Sequence, residues 1–129
     1  MIVVDTSALM AVLLREQDGE VCMGRLEAET EILISAGTMA EALVVAGRRN
    51  IAIEMTSLIE GLAFTVVPVS AATARQVAEA YARWGKGVHS AGLNLGDCFA
   101  YAVAKEYDCP LLYVGRDFTQ TDLRDARLS

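Results

Sequence analysis

Four short apolar runs punctuate the chain: Ile2-Val3-Val4, Ile32-Leu33-Ile34, Phe64-Thr65-Val66-Val67 and Leu111-Leu112-Tyr113-Val114. Each reads as a short strand, and the stretches between them carry helical spacing. Strands alternating with helices predict an α/β fold, with a mostly parallel central sheet of four or five strands and helices on both faces. The fifth strand would be a short one near Ala126 to Leu128. With no repeat, linker or low-complexity segment, the 129 residues are expected to form one domain, 1–129.

Asp5-Thr6-Ser7 supplies helix-start chemistry ahead of the apolar run Ala8 to Leu14. A second helix is expected over 18–29 with Val21, Cys22 and Leu26 facing inward, and others over 39–49 and 51–62, the last stopping at Gly61. Over 71–84 the residues Ala74, Val77, Ala78 and Tyr81 share one face. The stretch Gly85 to Gly96 holds four of the ten glycines and reads as a loop, followed by a buried helix from Asp97 to Tyr107.

Apolar residues make up 53% of the chain and charged residues 22%, which places it with ordinary folded proteins. Cys22, Cys98 and Cys109 are odd in number and show no C-x-x-C spacing, which argues against a disulfide framework and a zinc site and suits a reducing cytoplasm. Neither a signal peptide nor a membrane-spanning run is expected. The formal charge of -6 argues against broad attraction to nucleic acid, although Arg48, Arg49, Arg83, Lys86 and His89 leave room for a local basic rim.

An acid borders each of four apolar stretches: Asp5, Glu41, Asp97 and Asp117. Asp5, Glu41 and Asp117 follow strands, and Asp97 opens a helix rising from the same edge, where α/β sheets place their ligand sites. Each has a structural alternative. Asp5 and Asp97 suit helix caps, Thr38-Met39-Ala40-Glu41 matches a capping box, and Asp117 suits a turn. Gathered together, four carboxylates would repel one another unless a cation shared the site. Carboxylates suit hard ions, so a divalent metal is the expected cofactor.

Other chemistries lack their parts. His89 is the one histidine and no G-x-S-x-G elbow presents a serine. Gly85-Lys86-Gly87 is not a phosphate loop. An aspartyl-phosphate mechanism usually needs a second acid two residues after the first, and Ser7 stands there. Tyr81 and Tyr113 are expected to pack in the core rather than stack on bases.

In combination, I-V-V-D-T-S-A-L, S-A-G-T-M-A-E-A, the run G-K-G-V-H-S-A-G-L-N-L-G-D-C-F-A-Y-A-V-A-K and G-R-D-F-T-Q-T-D resemble the PIN-domain family, in particular VapC toxins of type II toxin-antitoxin pairs. The resemblance implies a PIN-like fold and a Mg2+- or Mn2+-dependent endoribonuclease that hydrolyses RNA phosphodiester bonds. Its catalytic and metal-holding acids would be Asp5, Glu41, Asp97 and Asp117, with Thr6 and Asp122 bordering the site. Lys86 and His89 are candidate contacts to the RNA backbone. It also implies a homodimer and a VapB-type antitoxin, for which an exposed apolar face on the helices of 39–62 would be the physical sign. The competing readings are a metal-dependent DNA nuclease and a non-catalytic PIN-fold binding module.

Overall fold

In the computed structural model, which describes residues 1–128, ten elements follow one another. They are β1 (Ile2–Val4), α1 (Thr6–Leu13), α2 (Gly19–Ala28), β2 (Ile32–Ser35), α3 (Ala36–Arg48), α4 (Ala52–Gly61), β3 (Thr65–Val67), α5 (Ala71–Trp84), α6 (Leu95–Glu106) and β4 (Leu111–Leu112). The strands form one parallel sheet in the order β3-β2-β1-β4. β1 is central, pairing Ile2 with Ile32 and Val3 with Leu33 on one side and Val3 with Leu111 on the other.

Alternation along each strand sorts the core into two layers. Val3, Leu33, Val67, Leu111 and Tyr113 face one way and pack with Val77 and Trp84 of α5 and Val103 of α6. Ile2, Val4, Ile32, Ile34 and Leu112 face the other and pack with Leu9, Leu26, Met55 and Ile59 of the remaining helices. β1, β2 and β4 are buried along their length, which is why they read as nearly unbroken apolar runs, whereas Thr65 and Val66 of the edge strand β3 are exposed.

Several sequence expectations about these elements need correction. The fifth strand reduces to a single parallel bridge between Leu111 and Asp125, held by Leu111 N–H to Arg124 O and Ala126 N–H to Leu111 O. The inner face of α5 is Thr73, Val77, Ala80 and Trp84, so Tyr81, Ala74 and Ala78 point outward. On α2, Cys22 and Leu26 are buried but Val21 is exposed. The helix carrying Glu41 begins at Ala36, capped by the Ser35 hydroxyl accepting from Gly37 N–H. Thr38 is therefore inside α3, and the Thr38–Glu41 capping box does not form.

Because the strands are parallel, their carboxyl ends share one edge. The chain moves from β1 outward through β2 to β3 and then crosses back to place β4 on the other flank of β1. That reversal of winding opens a crevice between β1 and β4, the usual ligand position in such sheets.

Candidate active site

Asp5 leaves β1 at this edge and begins α1 as its N-cap, its Oδ2 accepting from the N–H (3.1 Å) and the hydroxyl (2.7 Å) of Ser7. Capping explains Oδ2 alone. Asp5 Oδ1 is buried and has no hydrogen-bond partner among the described residues, and the whole residue is 4% exposed. An unpaired buried carboxylate oxygen is costly. The other buried side-chain oxygen without a partner, Thr38 Oγ1, lies in the first turn of α3 at the same edge.

Asp97 arrives from the opposite layer. Asn94 is the N-cap of α6, so the helix starts at Leu95 rather than at Asp97. Asp97 completes a capping box, its N–H donating to Asn94 Oδ1 (2.8 Å) and its Oδ2 accepting from Asn94 N–H (3.0 Å). Capping acids ordinarily sit in water, yet Asp97 is 7% exposed. Glu41 comes from α3, and Thr6 Oγ1 donates to its Oε1 (2.7 Å). Gly96 of α6 lies directly against that carboxylate, and a methyl group there would overlap it. Asp117 sits exposed in the segment after β4.

The electrostatics tie the four together. Burial, with the charge of Glu41 adding to it, pushes Asp5 up to about 6 even though the Ser7 bonds pull the other way. Asp97 is pushed to about 7, by burial first and then by the charges of Asp5, Asp117 and Glu41, against the bond from Asn94. Four carboxylates from four segments thus act on one another at one end of the sheet. Among the described residues, no three His, Cys, Asp or Glu side chains are closed round a common point as a metal cage. The donor set nonetheless suits a hard divalent ion: oxygens alone, an orphaned buried Oδ1, and two acids held protonation-prone by burial that a cation would relieve.

The remaining candidates fall elsewhere. Asp122 accepts from Tyr101 Oη (2.7 Å) and Lys105 Nζ (2.9 Å), one and two turns along α6 from Asp97. Burial alone would raise its carboxyl, but those two bonds outweigh it and hold the group below the ordinary range. Trp84 Nε1 donates to Tyr101 Oη (2.9 Å), so Trp84 is part of the packed frame. His89 stacks edge-on against Trp84 at 4.8 Å between ring centres, its Nδ1 accepting from Ala91 N–H, while Lys86 is exposed in the same loop. Asn94 and Gly96 carry site geometry that sequence reasoning missed. Their signal was the string N-L-G-D, in which the cap precedes the acid by three residues.

The family model described as "PIN domain" matches residues 2–123. The chain belongs to the PIN-domain family. Curated relatives match over almost their whole length. VapC ribonuclease Mb0640 of Mycobacterium bovis and Ribonuclease VapC30 of Mycobacterium tuberculosis are each 40% identical to it over 98% of both chains. Ribonuclease VapC of Mycolicibacterium smegmatis is 38% identical over 94% of this chain and 96% of its own. Among solved structures, the sarcin-ricin-loop-cleaving toxin VapC20 of M. tuberculosis superposes with a TM-score of 0.76 at 18% identity, covering 95% of this chain and 96% of that one. A toxin-antitoxin complex from Klebsiella pneumoniae gives 0.69 at 20% identity, over 95% and 93%. These two likenesses concern the PIN fold itself.

Proposed function

We propose that the protein is a metal-dependent endoribonuclease, the toxin of a VapBC-type pair, hydrolysing RNA phosphodiester bonds where Asp5, Glu41, Asp97 and Asp117 meet. The observation that carries the metal site is the buried Asp5 Oδ1, left without a partner beside three further acids. The relatives named as VapC ribonucleases support the RNA-cutting role. Asp5 and Asp97 would hold a Mg2+ or Mn2+ ion, with Glu41 and Asp117 completing the set, and the ion when bound would supply Lewis acidity and an activated water for phosphodiester hydrolysis.

The chain's own residues prepare that chemistry. Asn94 and Ser7 each hold one oxygen of an acid and leave the other uncommitted by that bond. Thr6 orients Glu41 through its hydroxyl. Lys86 and His89, on the loop that leads into α6, would contact the RNA backbone and so orient the strand without reading its sequence. A homodimer and a VapB-type antitoxin complete the assembly. Val44 on α3 and Ile53 on α4, 56% and 79% exposed, support an apolar interface there, and the net negative charge suits a basic partner segment.

Purified protein with Mn2+ or Mg2+ is expected to cut single-stranded RNA or tRNA in preference to flap DNA. Asp5→Asn and Asp97→Asn should each lower cleavage by at least about 100-fold, with circular dichroism unchanged. Full activity in either variant would remove the proposed site. Preferential cutting of flap DNA would reassign the substrate, and calorimetry showing no Mn2+ uptake would make the chain a non-catalytic module.

A further inference from the structure

Ser7 stands two residues beyond Asp5, and its hydroxyl does more than a helix cap requires. The backbone N–H of Ser7 already satisfies the cap by donating to Asp5 Oδ2 (3.1 Å). Its Oγ–H donates to the same oxygen (2.7 Å), and its Oγ accepts from the N–H of Val114 (3.0 Å). A hydroxyl has one proton to give, so its donor capacity is wholly committed to Asp5, while a lone pair takes the chain leaving β4. Val114 is followed by Gly115, Arg116 and Asp117, so one oxygen ties two of the acids' segments together across 107 residues of sequence.

We propose that Ser7 is a positioning residue for the metal site: its hydroxyl sets the rotation of the Asp5 carboxylate, leaving Oδ1 as the uncommitted oxygen, and sets where the Asp117 segment departs from the sheet. This rests on the metal-site reading above. Groups that orient a ligating carboxylate typically alter metal affinity strongly when removed. Among ordinary side chains, threonine keeps both the donor and the acceptor, alanine keeps neither, and cysteine keeps only a weak version of each.

The test is Mn2+ binding by calorimetry to the metal-free full chain, wild type against Ser7→Ala and Ser7→Thr. Ser7→Ala should bind Mn2+ about 10–100-fold more weakly and lower kcat on RNA with little change in KM, and Ser7→Thr should restore both. Amide exchange at Val114 should quicken in Ser7→Ala and slow again in Ser7→Thr. An Ser7→Ala protein that binds Mn2+ as tightly as the wild type, however much its melting temperature falls, would overturn the positioning role. If that variant does not fold, Ser7→Cys is judged by the same affinity criterion. Wild-type protein that takes up no Mn2+ would overturn the metal site itself, an outcome read without any variant.

Discussion

Four residues other than glycine adopt a left-handed backbone: Arg15 (φ 53°), Asn50 (59°), Ala63 (52°) and Asp108 (47°). Each directly follows the C-cap of a helix, α1, α3, α4 and α6 in turn. At the end of α4, Ala63 N–H donates to Glu60 O and Phe64 N–H to Ile59 O, the two bonds of a Schellman turn, with Phe64 and Ile59 in the same core layer. Gly61 reads in the sequence as the stop, but the turn needs its left-handed residue two positions later, where the chain has alanine. A left-handed alanine costs about 1–2 kcal/mol that glycine avoids, partly offset by the greater freedom glycine loses on folding. Ala63 is exposed, so no packing is lost with its methyl. Ala63→Gly should therefore stabilise the protein by roughly 0.5–1 kcal/mol, read as a higher urea midpoint with an unchanged slope. An unchanged or lower midpoint would contradict the strain assignment.

The decisive contact between elements is the crossing of α3 and α6, which come from opposite layers and meet at the carboxyl edge of the sheet. Two glycines allow it. A methyl group at Gly37 of α3 would collide with the Phe99 ring of α6, and one at Gly96 of α6 would overlap the Glu41 carboxylate of α3. Helix propensity alone favours alanine over glycine at Gly96. Gly96→Ala should change stability little, because the group its methyl meets is the far end of the flexible Glu41 side chain, but depress RNA cleavage by swinging that carboxylate aside; a thermal melt and a cleavage assay report the two effects separately. An alanine variant that cuts RNA as fast as the parent would show that the position of Glu41 is not critical. The same scale explains the misjudged face of α5. Alanines at 71, 72, 74, 78, 80 and 82 make its apolar stripe ambiguous, and Trp84, the bulkiest side chain, selects the face with Thr73, Val77 and Ala80.

At the scale of the molecule, the parallel sheet gathers carboxylates into a low-dielectric edge, and the consequence is a pH dependence. Folding raises Asp5 from 3.8 to about 6 and Asp97 from 3.8 to about 7, chiefly by burial. The folded state then holds protons that the unfolded chain has released, so stability of the metal-free protein falls as pH rises from about 4 to about 7 and levels off above. Asp122 and Asp125 are held low, the latter because Arg127 outweighs its burial, so their contribution is lost only as pH falls below the ordinary carboxylate value. Denaturation midpoints of chelator-treated protein should be higher at pH 5 than at pH 8, Asp97→Asn should flatten the difference, and Mn2+ should raise the pH 8 value. A midpoint that climbs steadily from pH 5 to pH 8 without metal would contradict the buried, mutually repelling acids.

No helix of the described residues is long and apolar enough to cross a membrane. The alternation of strand and helix and the sidedness of the sheet were legible in the chain, because they depend on local periodicity. Only the tertiary structure decided that Glu41 answers to Thr6 and Gly96 instead of Thr38. It also decided that Ser7 reaches Val114. Those bonds join residues from about 30 to more than 100 positions apart, and their partners are set by the crossing of layers and the return of β4 beside β1. No window of neighbouring residues encodes that crossing.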